Sequence, residues 1–171
     1  MRPIVAAVLL SGLCPRVQEI PDHPDKLRYR ALAFEVPEAE SMRVQLSTGS
    51  VAYLIEDPSL PIVDLHVYFR GGSFEEPRGK EGVGGATAHL LRTGGTRTRS
   101  PEALDEELDF LAANLAFGTG DVSGSASLSV LSKDLDRGIE ILSDVLRNPA
   151  FRQEKLDLWK AQTLEELQAR N

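Results

Sequence analysis

Residues 82–96, Gly-Val-Gly-Gly-Ala-Thr-Ala-His-Leu-Leu-Arg-Thr-Gly-Gly-Thr, read as an active-site helix followed by a glycine exit. The helix carries one group able to move a proton or bind a metal, the His89 imidazole, and no carboxylate. The other candidates are scattered. Asp64 and His66 fall on the polar side of a strand pattern, His23 in a proline-rich segment, and Glu165 and Glu166 close to the end of the chain. Cys14, the only cysteine, precedes the folded part, which excludes Cys/His nucleophilic chemistry, and there is no G-x-S-x-G or Walker loop. Residues 71–82, Gly-Gly-Ser-Phe-Glu-Glu-Pro-Arg-Gly-Lys-Glu-Gly, lack the spacing of a phosphate cradle and read as the loop before the helix.

The elements that must position these residues follow from local patterning. Thr48-Gly49 marks a turn between short strands at 43–46 and 51–55. Residues 62–70 alternate, with Val63, Leu65, Val67 and Phe69 on one side and Asp64, His66, Tyr68 and Arg70 on the other, and Gly71-Gly72 ends the strand. A helix spans about 83–92 and stops at Gly94-Gly95. Gly84 and Gly85 weaken a helix, which close packing at its first turn would justify. Ser100-Pro101 opens the next helix with an N-cap and a proline at its first position, and Leu104, Leu108 and Leu111 form its apolar stripe with Phe110 beside it. Residues 118–121 form a hairpin tip. Ser125, Ser127 and Ser129 then alternate with Ala126, Leu128 and Val130, so the serines face solvent or line a polar substrate chamber. Ser132 caps a third helix with Leu135, Ile139, Leu142 and Leu146 at helical spacing. Pro149 precedes a long last helix with Leu156, Trp159, Thr163 and Glu166 on roughly one face. Strands, two helices, strands and two helices predict an α+β fold, a mostly antiparallel sheet with helices packed on one face.

The 171 residues suffice for one domain with a real core, and 42% hydrophobic against 26% charged fits a globular protein. The net charge of −7 argues against nucleic acid as a partner, because phosphate binding needs a basic face. No stretch is long enough to span a bilayer as a mature helix. Residues 1–14 have one early Arg and an apolar run that ends at Cys14, the shape of a secretion signal or lipoprotein signal. Export to a bacterial periplasm follows as an expectation, with membrane anchoring by lipidation at Cys14. The alternative is a buried N-terminal segment with an inert cysteine. Residues 15–30 read as a linker, and the folded part is expected at 31–171.

On these residues the sequence resembles the N-terminal domain of the pitrilysin/insulinase zinc metallopeptidases, which include the mitochondrial processing peptidases. An ordered set carries the resemblance across 31–171: the strand ended by Gly71-Gly72, the helix with its Gly95-Thr96…Ser100 exit, and Asn148-Pro149-Ala150-Phe151 after the third helix. The resemblance implies a zinc endopeptidase fold with the inverted motif H-x-x-E-H on the first helix. Its two His, one turn apart, share the zinc, its Glu serves as general base to the bound water, and a Glu from a later helix completes the ligands. Counting forward from Gly82 puts the three motif positions on Gly85, Ala88 and His89. Counting back from Gly95-Thr96 puts them on Ala86, His89 and Leu90, and starting at His89 puts the last two on Arg92 and Thr93. Each register keeps at most one functional residue, and none keeps the base. His89, Glu165 and Glu166 are the vestigial ligand candidates, and no resident cofactor is expected although zinc is the family's own.

The expectation is a catalytically incompetent member that binds or positions polypeptide with an active homologous subunit or second domain. A zinc endopeptidase with an altered metal site and an exported non-enzymatic scaffold or fragment stay open as alternatives. Domains of the family continue past this last helix, so the domain is expected to be incomplete at its C-terminal end.

Overall fold

A computed structural model describes residues 23–27, 29, 36 and 38–170. The expected signal segment and Cys14 lie outside the described residues. The chain divides into two units, 1–55 and 56–171.

In the first unit, α1 (Ala39–Met42) leads into β1 (Arg43–Gln45), which pairs antiparallel with β2 (Val51–Tyr53). Gly49 at the turn takes φ +87°, a left-handed conformation that costs glycine little. The expected hairpin forms, with strands one to two residues shorter than the pattern suggests. His23 is exposed beside a short turn, where its Nδ1 accepts from the Asp25 amide at 3.3 Å.

The second unit begins with β3 (Ile62–Arg70), followed by α2 (Val83–Thr93), α3 (Pro101–Phe110), β4 (Asn114–Thr119), β5 (Ser123–Leu131), α4 (Leu135–Arg147) and α5 (Gln153–Ala169). The strands form an antiparallel sheet in the order β3-β5-β4. Register puts Val63 opposite Val130, Leu65 opposite Leu128 and Val67 opposite Ala126, with Leu115 and Phe117 of β4 flanking Leu128 and Ala126. That apolar face receives the helices: Leu104 and Leu108 of α3 and Ile141 and Val145 of α4 are buried against it with Leu128 and Val130. The other face pairs Asp64 with Ser129, His66 with Ser127 and Tyr68 with Ser125, where the β3 side chains are exposed and the serines half-buried. This is the α+β layout that the alternation predicts.

Three details differ from the sequence reading. The buried line of α4 runs through Gly138, Ile141, Leu142 and Val145, while Ile139 and Leu146 are exposed. The contact centres on Gly138: a Cβ there would lie 3.1 Å from Leu128 Cδ2 and 3.2 Å from Val130 Cγ1, so the helix backbone lies directly on the sheet. Ser132 starts a 3-10 turn, Ser132–Asp134, and its side chain makes no capping bond. Phe110 points outward at 89% exposure, because α3 turns its Leu104–Leu108–Leu111 side to the core. Ser100 caps α3 as expected, accepting from the Ala103 amide at 3.1 Å.

Two sequence signatures meet in one clasp at the end of α2. Gly95, at φ +69°, has no room for a side chain: a Cβ would lie 2.8 Å from Arg99 O and from Pro101 N. Thr96 is buried, and its hydroxyl accepts from the amides of Thr98 and Arg99. Arg97 N donates to Asn148 O, Ala150 N donates to Gly95 O, and Thr96 bridges to Pro149. Beneath them Asp144 accepts from Thr98 Oγ1 at 2.8 Å, Arg99 Nη1 at 2.6 Å and Asn148 Nδ2 at 2.9 Å, and Arg99 also donates to Glu107 at 2.9 Å.

Burial pushes the Asp144 carboxyl up, but interactions with Thr96, Asn148, Thr98 and Arg99 outweigh it and hold the pKa at about 2, below the ordinary 3.8. A depressed carboxylate stabilises the folded state above its unfolded pKa and loses that contribution as pH falls through the folded one. The stability difference between the wild type and Asp144→Asn should therefore shrink by about 2 kcal/mol between pH 5 and pH 2. Urea melts across that range measure it; a difference that stays constant with pH contradicts the assignment.

Candidate functional site

The helix α2 is fixed at its first turn by a residue that no motif singles out. Glu76, in the loop after β3, accepts from Gly82 N through Oε2 and from Gly84 N through Oε1, both at 2.7 Å. The carboxylate thus satisfies amide groups that the start of a helix leaves without intrahelical partners, and its charge complements the positive end of the helix dipole. Gly82 enters the helix at φ +90°. Thr119 Oγ1 donates to Gly84 O at 3.0 Å, tying the same turn to the end of β4.

The two glycines of this turn do different work. A Cβ on Gly84 would lie 2.7 Å from Thr119 Cγ2 and 2.9 Å from Glu76 Oε1, so only glycine lets the loop and the strand close on the helix. A Cβ on Gly85 would meet only Trp159 Cζ2, at an ordinary 3.7 Å.

The faces of α2 are distinct. Ala86, Leu90 and Leu91 are buried in the unit's interior. Ala88 lines an apolar hollow of about 250 Å³ with Phe69, Val83, Leu91 and Phe117, bordered by Arg70, Glu75 and Glu76. Gly85 and His89 face α5, where the Trp159 and His89 rings lie 6.4 Å apart between centroids and are tilted by 38°. The forward register of the motif thus splits across two faces. Its base position, Ala88, contributes a methyl group to the hollow, and its ligand positions, Gly85 and His89, contribute one imidazole beside an indole.

Glu165 and Glu166 are exposed on the last turns of α5. Leu156, Trp159 and Thr163 form the half-buried side of that helix, as its spacing predicts, whereas Glu166 stays in solvent. Among the described residues no three His, Cys, Asp or Glu side chains come together in a way that could hold a metal ion. Asp64 and His66 project from the open face of the sheet, opposite the side that carries α2. A catalytic zinc requires three protein ligands with an open position, and the residues at α2 do not fit that requirement: the helix itself offers His89 alone, and the Glu76 carboxylate beside it is taken up by the Gly82 and Gly84 amides.

Sequence reasoning missed Glu76 and Trp159 as parts of this site. The signals were present: Trp159 is the only tryptophan, and Glu76 is one of a Glu-Glu pair just ahead of a glycine-rich helix start. Neither has a motif that links it to α2 across the intervening chain.

The adjacent glycines predict opposite outcomes. Gly84→Ala should destabilise the chain by about 1–3 kcal/mol through overpacking. Gly85→Ala should be neutral or stabilising by up to about 1 kcal/mol through helix propensity. Thermal and urea melts of the two variants check this; equal effects would contradict the packing described.

The family model described as insulinase (peptidase family M16) matches residues 51–171. Bovine mitochondrial cytochrome b-c1 complex subunit 1 is 30% identical over 134 residues, which are 78% of this chain and 27% of that protein. The mitochondrial-processing peptidase subunit beta of Blastocladiella emersonii is 25% identical over 138 residues, 81% of this chain and 29% of that protein. Among solved structures, a peptidase M16 inactive domain from Pseudomonas fluorescens superposes with a TM-score of 0.67 at 24% identity, covering 75% of this chain and 32% of that one; the likeness is one of fold. The chain spans 27% and 29% of the two curated relatives named.

Proposed function

Since the chain belongs to the insulinase family, peptidase family M16, we propose that it is a non-catalytic member of it, which binds and positions extended polypeptide beside an active homologous subunit or domain. The single observation that carries the reading is the side-chain set on α2. Gly85, Ala88 and His89 supply one imidazole and no carboxylate, so neither a zinc-bound water nor a general base to activate it has residues to depend on. Two relatives are named as subunits, one of the cytochrome b-c1 complex and one of a processing peptidase, which supports a role within an assembly. The apolar hollow beside α2, bordered by Arg70, Glu75 and Glu76, offers a place for an apolar side chain of a bound peptide with polar groups at its rim.

The purified chain should bind an unstructured polypeptide by fluorescence anisotropy and leave it uncut with or without chelator. Chelator-sensitive cleavage would sink the reading, and so would the absence of any peptide binding both alone and with a homologous active subunit.

Export and lipidation at Cys14 belong to the same proposal and rest on residues 1–14 alone. In a bacterial host, Cys14→Ser should move the chain from the membrane fraction to the soluble one. Unchanged fractionation would contradict anchoring through this residue.

A further inference from the structure

One side chain covers three positions of α2 that follow each other along the helix. A Cβ on Gly82 would lie 3.9 Å from Trp159 Cη2, and one on Gly85 would lie 3.7 Å from Cζ2. The His89 imidazole is 6.4 Å from the indole between centroids. Both rings are half-buried. Residues 85 and 89 are separated by one helical turn, so their side chains project toward the same volume, the relation that two ligands of one cation need. In this chain the benzenoid edge of Trp159 borders that volume. A Cβ at position 85 would already touch the ring, so a longer side chain aimed at the shared volume needs the ring to move. The indole itself offers one N–H donor and no lone pair for a cation.

We infer that Trp159 plugs the space between residues 85 and 89, and that this aromatic plug, in addition to the absent ligands, closes the site to a divalent cation. The same ring couples α5 to the first turns of α2, where Gly82 and Gly85 leave the backbone open to it. The inference goes beyond the non-catalytic reading, which rests on missing donors alone. It states that restoring a donor will not restore a site while the indole stays.

The test uses the full chain and zinc ion, with Gly85→His, Trp159→Leu and the two combined. Leucine keeps an apolar contact with α2 while shortening the side chain. Titration calorimetry, supported by the zinc-dependent rise in melting temperature, gives the affinities. Gly85→His combined with Trp159→Leu should bind zinc at least about ten-fold more tightly than Gly85→His alone. Equal affinities would overturn the inference, and so would a folded double variant with no zinc affinity, because two imidazoles one helical turn apart bind zinc weakly on their own once the space between them is open. Trp159 is the chain's only tryptophan, so its emission supplies a readout that needs no change at position 159. In Gly85→His at high zinc, binding should come with a red shift as the ring leaves. Binding with unchanged emission would overturn the plug. Stoichiometric zinc in the wild-type chain would contradict the non-catalytic reading together with the plug, whereas equal affinities of the two variants overturn the plug alone, which keeps the two failures apart.

Discussion

The Glu76 carboxylate at the first turn of α2 is the constraint on which the rest of the site depends. It receives two amide hydrogens, from Gly82 and Gly84, and it approaches closely enough to require glycine at position 84. Thr119 holds the same turn from the sheet side. At the other end, the clasp around Thr96 and Asp144 joins the helix exit to the segment after α4. These contacts at both ends set how α2 is turned about its axis, and so which face carries residues 85, 88 and 89. That turns the identity of residues 85, 88 and 89 into a statement about chemistry.

The set orientation separates structure from catalysis. The side toward the unit's interior keeps its apolar residues, the side toward the hollow presents a methyl group at Ala88, and the side toward α5 presents His89 and the backbone of two glycines to an indole. A helix held this firmly carries the scaffold of a peptidase domain without the donors of its metal site. Membership of the insulinase family explains why such a scaffold exists. The side chains on α2 are the ground for the proposal that this scaffold holds polypeptide rather than cutting it.

Much of the fold was legible because its signals are local. The alternation of residues 62–70 gave the strand with its bounds, Ser100-Pro101 gave the start of α3, and the serine alternation gave the two faces of β5. The apolar spacing of α4 marks a different line from the buried one, because the sheet contact centres on Gly138, which has no side chain for a hydropathy pattern to register. Ser132 reads as a cap by type, yet a 3-10 turn intervenes before the helix. In the candidate site, spacing places His89 on the helix, and Gly85, Ala88 and His89 stand as motif positions through the resemblance. Glu76 and Trp159 were not, because their roles arise from tertiary contacts. The carboxylate acts on amides six and eight residues ahead of it, and the indole reaches α2 from α5.

The zinc content of the purified chain, measured by elemental analysis after dialysis against excess zinc and then against buffer, tests the central claim most directly. The expected content is zinc far below one ion per chain, unchanged by His89→Ala. One tightly held zinc per chain, lost in His89→Ala, would contradict it.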